Sequence, residues 1–166
     1  SHNGMNGDNI NDIYVDRGDR IWLANYPAGV TIRNNRYQSY EWFRHSPGNS
    51  RSLVNDQVHD VIEDSEGDLW FATSNGISLL QPAVGRWRSF LSRSDGIQDG
   101  GNHIFLTLCE VSPGVICAGG YASGLYRIEK KTGRVEYFPP SFAAEGRPDQ
   151  YINCLLYTSP SPRDRG

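Results

Sequence analysis

Residues 58–90 read VHDVIEDSEGDLWFATSNGISLLQPAVGRWRSF, and most of the remaining chain is a variation on them. Val58, Val61 and Ile62 form one apolar run, Asp64-Ser-Glu-Gly67-Asp68 a polar turn, and Leu69-Trp70-Phe71-Ala72 a second run. Two β-rich runs joined by a polar, glycine-containing loop predict a hairpin. Thr73-Ser-Asn75-Gly76 makes another turn into Ile77-Ser-Leu-Leu80, and Gly85-Arg-Trp87-Arg-Ser-Phe90 supplies a fourth run. The spacing predicts four antiparallel strands.

The pattern recurs on both sides. Ile10-Asn-Asp-Ile-Tyr-Val-Asp16 lies 48 residues before Val58–Asp64, and Trp22 lies 48 before Trp70. Downstream the period is 46 to 48: Ile104 answers Val58, Val115–Ala118 answers Leu69–Ala72, and Gly133–Phe138 answers Gly85–Phe90. In that alignment Glu110 stands for Asp64 and Ile116 for Trp70. A fourth copy begins near Asp149, with Ile152 placed 48 after Ile104. A period in the mid-forties with four strands per unit predicts β-propeller blades. Each small sheet has two apolar faces that only a stacked neighbour can cover.

The expected fold is therefore all-β: a β-propeller fragment of about three four-stranded antiparallel blades and the start of a fourth. The expected boundaries are a lead-in at 1–9, blades at 10–57, 58–103 and 104–151, and the new blade at 152–153. Closed rings hold about four to eight blades, so the remaining blades of a parent chain are expected partners. The Ser1 start, with no initiator Met or apolar signal region, fits truncation at the front. Uncovered faces on the outer blades are expected to make the chain poorly soluble or oligomeric.

A net charge of −3 and a pI near 5.8 give no electrostatic footprint for nucleic acid. No apolar run approaches the roughly 20 residues of a membrane span, so no membrane contact is expected of this segment. Charged residues make up 21% with both signs scattered, as on a solvated surface. The end of the chain differs in kind. Cys154-Leu-Leu-Tyr-Thr-Ser-Pro-Ser-Pro-Arg-Asp164 resembles one reading frame of a transposase adapter used in sequencing libraries, and an inner strand does not tolerate Ser-Pro-Ser-Pro. Residues 154–166 are accordingly expected to be a non-native tail, with a natural Pro-rich linker as the alternative.

Asp64 and Gly67 suit a structural turn: the carboxylate accepts nearby backbone N–H groups and the glycine supplies a positive φ. A calcium loop would need more oxygen ligands. Trp22 and Trp70 are expected to pack between blades. His2, His45, His59 and His103 lie apart with no zinc spacing, so no metal and no cofactor are expected. Cys109 and Cys117 fall near facing ends of one hairpin, about one residue out of opposition. Two buried thiols are the favoured reading and a disulfide the alternative. Gly119-Gly120-Tyr-Ala-Ser-Gly124 leads into a strand, not a helix, and lacks phosphate-binding logic. No catalytic grouping stands out.

The residues Asp64-Ser-Glu-Gly67-Asp-Leu69-Trp70-Phe-Ala-Thr73, followed by Asn75-Gly76-Ile77, resemble the two-component regulator propeller repeat. Its pattern is Asp-x-x-Gly-x-Leu-Trp, a hydrophobic residue, Gly or Ala, Thr and then Gly-Leu/Ile. Asp16 and Trp22 keep the spacing with the glycine shifted by one, and Gly76 closes the motif. The resemblance implies the extracytoplasmic, periplasmic sensor of a hybrid histidine kinase, with a dimeric parent and an oligosaccharide ligand. Propellers bind at the mouth formed by the loops between second and third strands and between blades. Candidate contacts there are Tyr26, Trp42, Arg44, His45, Asn75, Arg93, Asp95, Asn102, His103 and Tyr121. Rings beside amides and charges suit sugars. The alternatives are a propeller lyase or glycan-degrading enzyme whose catalytic residues lie on other blades, or a protein-interaction scaffold.

Overall fold

The computed structural model describes residues 9–95 and 102–139. Its strands form three four-stranded antiparallel sheets, each in sequence order. The first holds β1 (Asn9–Val15), β2 (Arg20–Tyr26), β3 (Gly29–Asn34) and β4 (Ser39–Phe43). The second holds β5 (Val58–Glu63), β6 (Leu69–Thr73), β7 (Gly76–Gln81) and β8 (Arg86–Phe90). The third holds β9 (Phe105–Ser112), β10 (Val115–Gly120), β11 (Gly124–Glu129) and β12 (Val135–Phe138). Among the described residues the one helical turn is a 3-10 turn, Arg93–Asp95. The fourth repeat, the tail from 154 and all but the last residue of the lead-in lie outside the described residues.

Alternation along each strand sends successive side chains to opposite faces. Trp70, Ala72, Ile77 and Leu79 therefore face the third sheet and pack against Phe105, Leu108, Ile116 and Tyr126. Leu69, Phe71 and Leu80 turn the other way, onto Trp22, Ala24, Val30 and Ile32 of the first sheet. Trp22 and Trp70 thus each fill the space between one blade and the next. The first strands β1, β5 and β9 adjoin one another, leaving β4, β8 and β12 as outer edges.

A carboxylate fixes each of the first two hairpins. Asp16 Oδ1 accepts the backbone N–H groups of Gly18 (2.8 Å) and Arg20 (3.0 Å), and Oδ2 accepts the Trp22 indole N–H at 2.8 Å. Asp64 repeats the arrangement with Glu66 (2.9 Å), Asp68 (3.0 Å) and the Trp70 indole (2.9 Å). Gly67 takes the left-handed position at φ 87°; in the first turn the early glycine leaves that position to Asp19, at φ 61°. Aspartate is one of the few side chains that tolerate it.

Asp64 has a further partner from the third blade. Lys130 Nζ lies 2.7 Å from Asp64 Oδ2, 2.6 Å from Glu66 Oε2 and 2.7 Å from Asp68 Oδ2. Those carboxylate oxygens come within 4.8 Å of one another, and the ammonium sits among them. Burial pushes the Asp64 carboxyl up, but Lys130, the Trp70 indole and the Asp68 amide outweigh it and hold the group below its usual range. Burial alone would lower Lys130; Asp64, Asp68 and Glu66 instead hold it well above its usual value.

The third blade departs from the sequence alignment by one residue. Asp12 Oδ2 accepts Val61 N–H at 3.0 Å, and Asp60 Oδ2 accepts Leu108 N–H at 2.7 Å. Arg17 N–H donates to Glu63 Oε2 at 3.0 Å, and Ser65 N–H to Glu110 Oε2 at 2.7 Å. These inter-blade bonds equate Val61 with Leu108 and Glu63 with Glu110. Val111 then occupies the place of Asp64, and Cys117, not Ile116, the place of Trp70. The physical reason is the turn. Pro113-Gly114 connects the paired residues Ser112 and Val115, with Gly114 at φ 77°, so the strands run on where the other blades carry an Asp loop. A register shift between Val115 and Ile116 brings Cys117 directly opposite Cys109, correcting the offset expected from the sequence. Both side chains are buried.

Lys130→Met is expected to strand two buried carboxylates, Asp64 and Asp68. Breaking a buried pair by removing one partner costs about 3–5 kcal/mol. Urea unfolding is the check; a loss under about 1 kcal/mol, the usual ceiling for an exposed pair, would contradict the burial assigned to this cluster.

Candidate functional site

The loop end that corresponds to a propeller's mouth carries a β-bulge in each described blade. In each blade one residue near the start of the first strand is left unpaired: Asn11 between Ile10 and Asp12, His59 between Val58 and Asp60, and Leu106 between Phe105 and Thr107. A bulge bends its strand and re-aims a side chain. Backbone bonds then draw the turns together. Ser74 N–H donates to Gln57 O and Tyr121 N–H to Ile104 O, while Gly29 N–H reaches Asp56 O and Gly76 N–H reaches His103 O.

His59 sits at the junction of the first and second blades. Its Nε2 lies 2.8 Å from Ser74 Oγ, and its ring centroid is 5.8 Å from that of Tyr26. Asn11 Nδ2 donates to Val58 O at 2.9 Å, which fixes the amide's orientation, and also approaches His59 Nδ1 at 3.5 Å. A donor facing Nδ1 favours the tautomer in which that nitrogen accepts and Nε2 carries the proton. In that tautomer His59 donates to Ser74 Oγ. A serine nucleophile needs the opposite, an imidazole that takes its proton.

A second group lies between the second and third blades. Asn75 Oδ1 accepts Arg93 N–H at 3.0 Å, Arg93 Nη2 reaches Asn102 O at 3.5 Å, and Asn102 Nδ2 donates to Tyr121 O at 2.7 Å. Arg93 and Tyr121 remain exposed. The structure therefore gathers Asn75, Arg93, Asn102 and Tyr121, and places Tyr26 with His59.

The other candidates go elsewhere. Trp42 lies inside the outer strand β4, paired with Thr31, and not in the connection that follows it. Arg44 follows that strand with its stem near Gly29. His45 N–H donates to Asp56 Oδ1 at 2.7 Å, and its Nδ1 is 2.8 Å from Leu53 O. Asp95 Oδ2 accepts Ser92 N–H at 3.0 Å, closing the 3-10 turn. His103 is buried, at φ 60°, with Nδ1 2.6 Å from Leu91 O. These last three positions hold the loops together. A separate groove of about 670 Å³ follows β8, lined by Arg51, Arg86, Trp87 and Arg88 among others, away from the mouth.

Burial holds the His59 imidazole below its ordinary value. The folded chain therefore favours the neutral ring, and the unfolded chain takes up the proton first as pH falls. Stability is expected to decline on acidification below about pH 6.5, the ordinary histidine value, until the lower folded value is passed. His59→Gln, which keeps a donor toward Ser74, is expected to flatten that segment of a urea-midpoint titration. An unchanged slope would show that another group carries it.

The model of the two component regulator propeller family matches residues 52–75, which span β5, the Asp64 turn, β6 and Ser74-Asn75. No curated protein matches the chain. Among solved structures, the chain resembles the extracellular domain of a protein described as the hybrid two component system BT3049 from B. thetaiotaomicron. The TM-score is 0.71 at 23% identity, covering 81% of this chain and 19% of that one. The corresponding domain of BT4673 from the same organism gives a TM-score of 0.65 at 21% identity, covering 82% and 17%. PorZ, a surface component of the type-IX secretion system of Porphyromonas gingivalis, gives 0.59 at 11% identity, covering 82% and 22%. These likenesses establish the propeller fold, of which the chain spans about a fifth of each relative's length. Among the described residues, no helix is long and apolar enough to cross a membrane. Residues 52–75 thus match the two component regulator propeller repeat, and they lie in the second of the three blades among the described residues.

Proposed function

We propose that the chain is part of the periplasmic sensor propeller of a dimeric two-component signalling protein, completed by further blades of its parent. On this reading it binds a glycan-derived oligosaccharide at the mouth and passes the event across the membrane through the parent's histidine kinase. The observation that carries the proposal is the family repeat at 52–75, lying in a fold shared with the extracellular domains of hybrid two component systems. The mouth's chemistry supports the ligand class. Tyr26 offers a ring for the apolar C–H face of a sugar, and Ser74, Asn75 and Arg93 offer groups for its hydroxyls.

One observation favours an enzyme: the 2.8 Å contact between His59 and Ser74. The tautomer that Asn11 favours opposes it, because Nε2 is then the donor. Covalent labelling of Ser74 by a fluorophosphonate would restore the enzyme reading.

The binding proposal is tested by calorimetric titration of the chain with oligosaccharides released by endo-hydrolases from defined polysaccharides. At least one is expected to bind saturably. Tyr26→Ala and Ser74→Ala are expected to weaken it roughly tenfold or more, about 1.4 kcal/mol, while Trp42→Ala leaves it unchanged. Absence of binding across the panel, or a Trp42→Ala loss equal to that of Tyr26→Ala, would overturn the assignment.

A further inference from the structure

We propose that Cys109 and Cys117 form a reversible disulfide that staples the first hairpin of the third blade, at the position where the other blades use an Asp–Trp hydrogen bond. The proposal stands apart from the sensor reading and rests on the internal repeat. In the first blade Trp22 is the cross-strand partner of Tyr14, and in the second Trp70 is the partner of Ile62. The equivalent pair in the third blade is Cys117 with Cys109. Each tryptophan is tied to a capping aspartate through its indole N–H. The third hairpin has lost both members of that staple: Val111, 42% exposed, stands for the aspartate and Cys117 for the tryptophan.

The register suits a covalent replacement. Directly opposed residues of an antiparallel pair have Cα atoms about 4.5–5.5 Å apart, inside the range of about 4.4–6.8 Å that a disulfide spans. Both side chains leave the sheet on one face, where they cluster with Leu125. That face corresponds to the one through which Ile62, Trp70 and Ile77 of the second blade meet the third. Burial, and then the neighbouring Cys109, push the Cys117 thiol up, with Arg127 opposing. Exchange is therefore expected to be slow at neutral pH and faster in mild alkali.

The reaction is a thiol–disulfide exchange with a small-molecule disulfide. One cysteine thiolate attacks a sulfur of oxidised glutathione, forming a mixed disulfide and releasing one glutathione thiolate. The second cysteine thiolate displaces the other glutathione and closes the Cys109–Cys117 bond. The two cysteines are oxidised, the glutathione disulfide is reduced to two thiols, and the two cysteine protons end on those thiols.

The test equilibrates the whole chain over a series of reduced-to-oxidised glutathione ratios, quenches it, alkylates free thiols in denaturant and maps tryptic peptides. No Lys or Arg lies between Ser94 and Arg127, so one peptide carries both cysteines, and Cys154 falls on another. The expected result is a peptide two hydrogens lighter and free of alkyl groups. Its half-oxidation should occur at a more reducing ratio in native buffer than in urea, by roughly tenfold or more in the exchange constant. Dialkylated peptide at oxidising ratios, a mixed glutathione adduct alone, or identical ratios in buffer and urea would each overturn the proposal.

Discussion

The fold depends on how a buried carboxylate is satisfied. Asp64 is 1% exposed, and a charge so placed is tolerated only when its oxygens are paired. Two backbone amides on Oδ1 set the path of the turn, and the Trp70 indole on Oδ2 sets where the largest side chain of the hairpin lies. That ring then forms the floor on which the third blade packs. Lys130 of that blade completes the carboxylate's shell, so one side chain couples turn, hairpin and neighbour. Asp16 does the same with Arg20, 2.7 Å away in its own hairpin, in the place of the distant lysine.

A second set of carboxylates spaces the blades. Asp12 and Asp60 reach from one inner strand to the backbone of the next, while Glu63 and Glu110 accept from the turn of the blade before. Because each reaches a backbone N–H, these bonds fix register without demanding a particular side chain opposite. The third blade can therefore change its hairpin entirely, exchanging the Asp loop for Pro113-Gly114, and still dock in the same frame. Inner-strand bulges belong to that frame, and they turn Asn11 and His59 toward the mouth.

Much of this was legible in the chain. The period, the four strands of the second blade and the turn role of Asp64 and Gly67 follow from apolar spacing and turn chemistry. The indole bond did not, because a contact six residues away across a hairpin becomes visible only once both strands are placed. Lys130 acts 66 residues from Asp64, beyond any local pattern. The third blade misled because Val115–Ala118 ends on the same alanine as Leu69–Ala72, and matching that alanine hides the tighter turn. His59 carried a usable signal: Asn11-Asp12 and His59-Asp60 each place two polar residues in a row inside an apolar strand, the mark of a bulge. Trp42 reads as part of a connection because polar Ser39 and Glu41 interrupt the aromatic run, although Tyr40, Trp42 and Phe43 all lie within β4. His103 and Asp95 sit in polar loops whose backbone needs partners, so their side chains are spent on structure.

The central claim is that carboxylates hold the two inter-blade tryptophans by their indole N–H groups. The direct measurement is hydrogen exchange of the four tryptophan indoles by NMR, assigned with Trp22→Phe and Trp70→Phe. Trp22 and Trp70 are predicted to exchange slowly, while Trp42, 40% exposed in an outer strand, and Trp87, half-buried at another, exchange fast. Four indoles exchanging at one common rate, or protection at Trp42 and Trp87 in place of Trp22 and Trp70, would contradict the account.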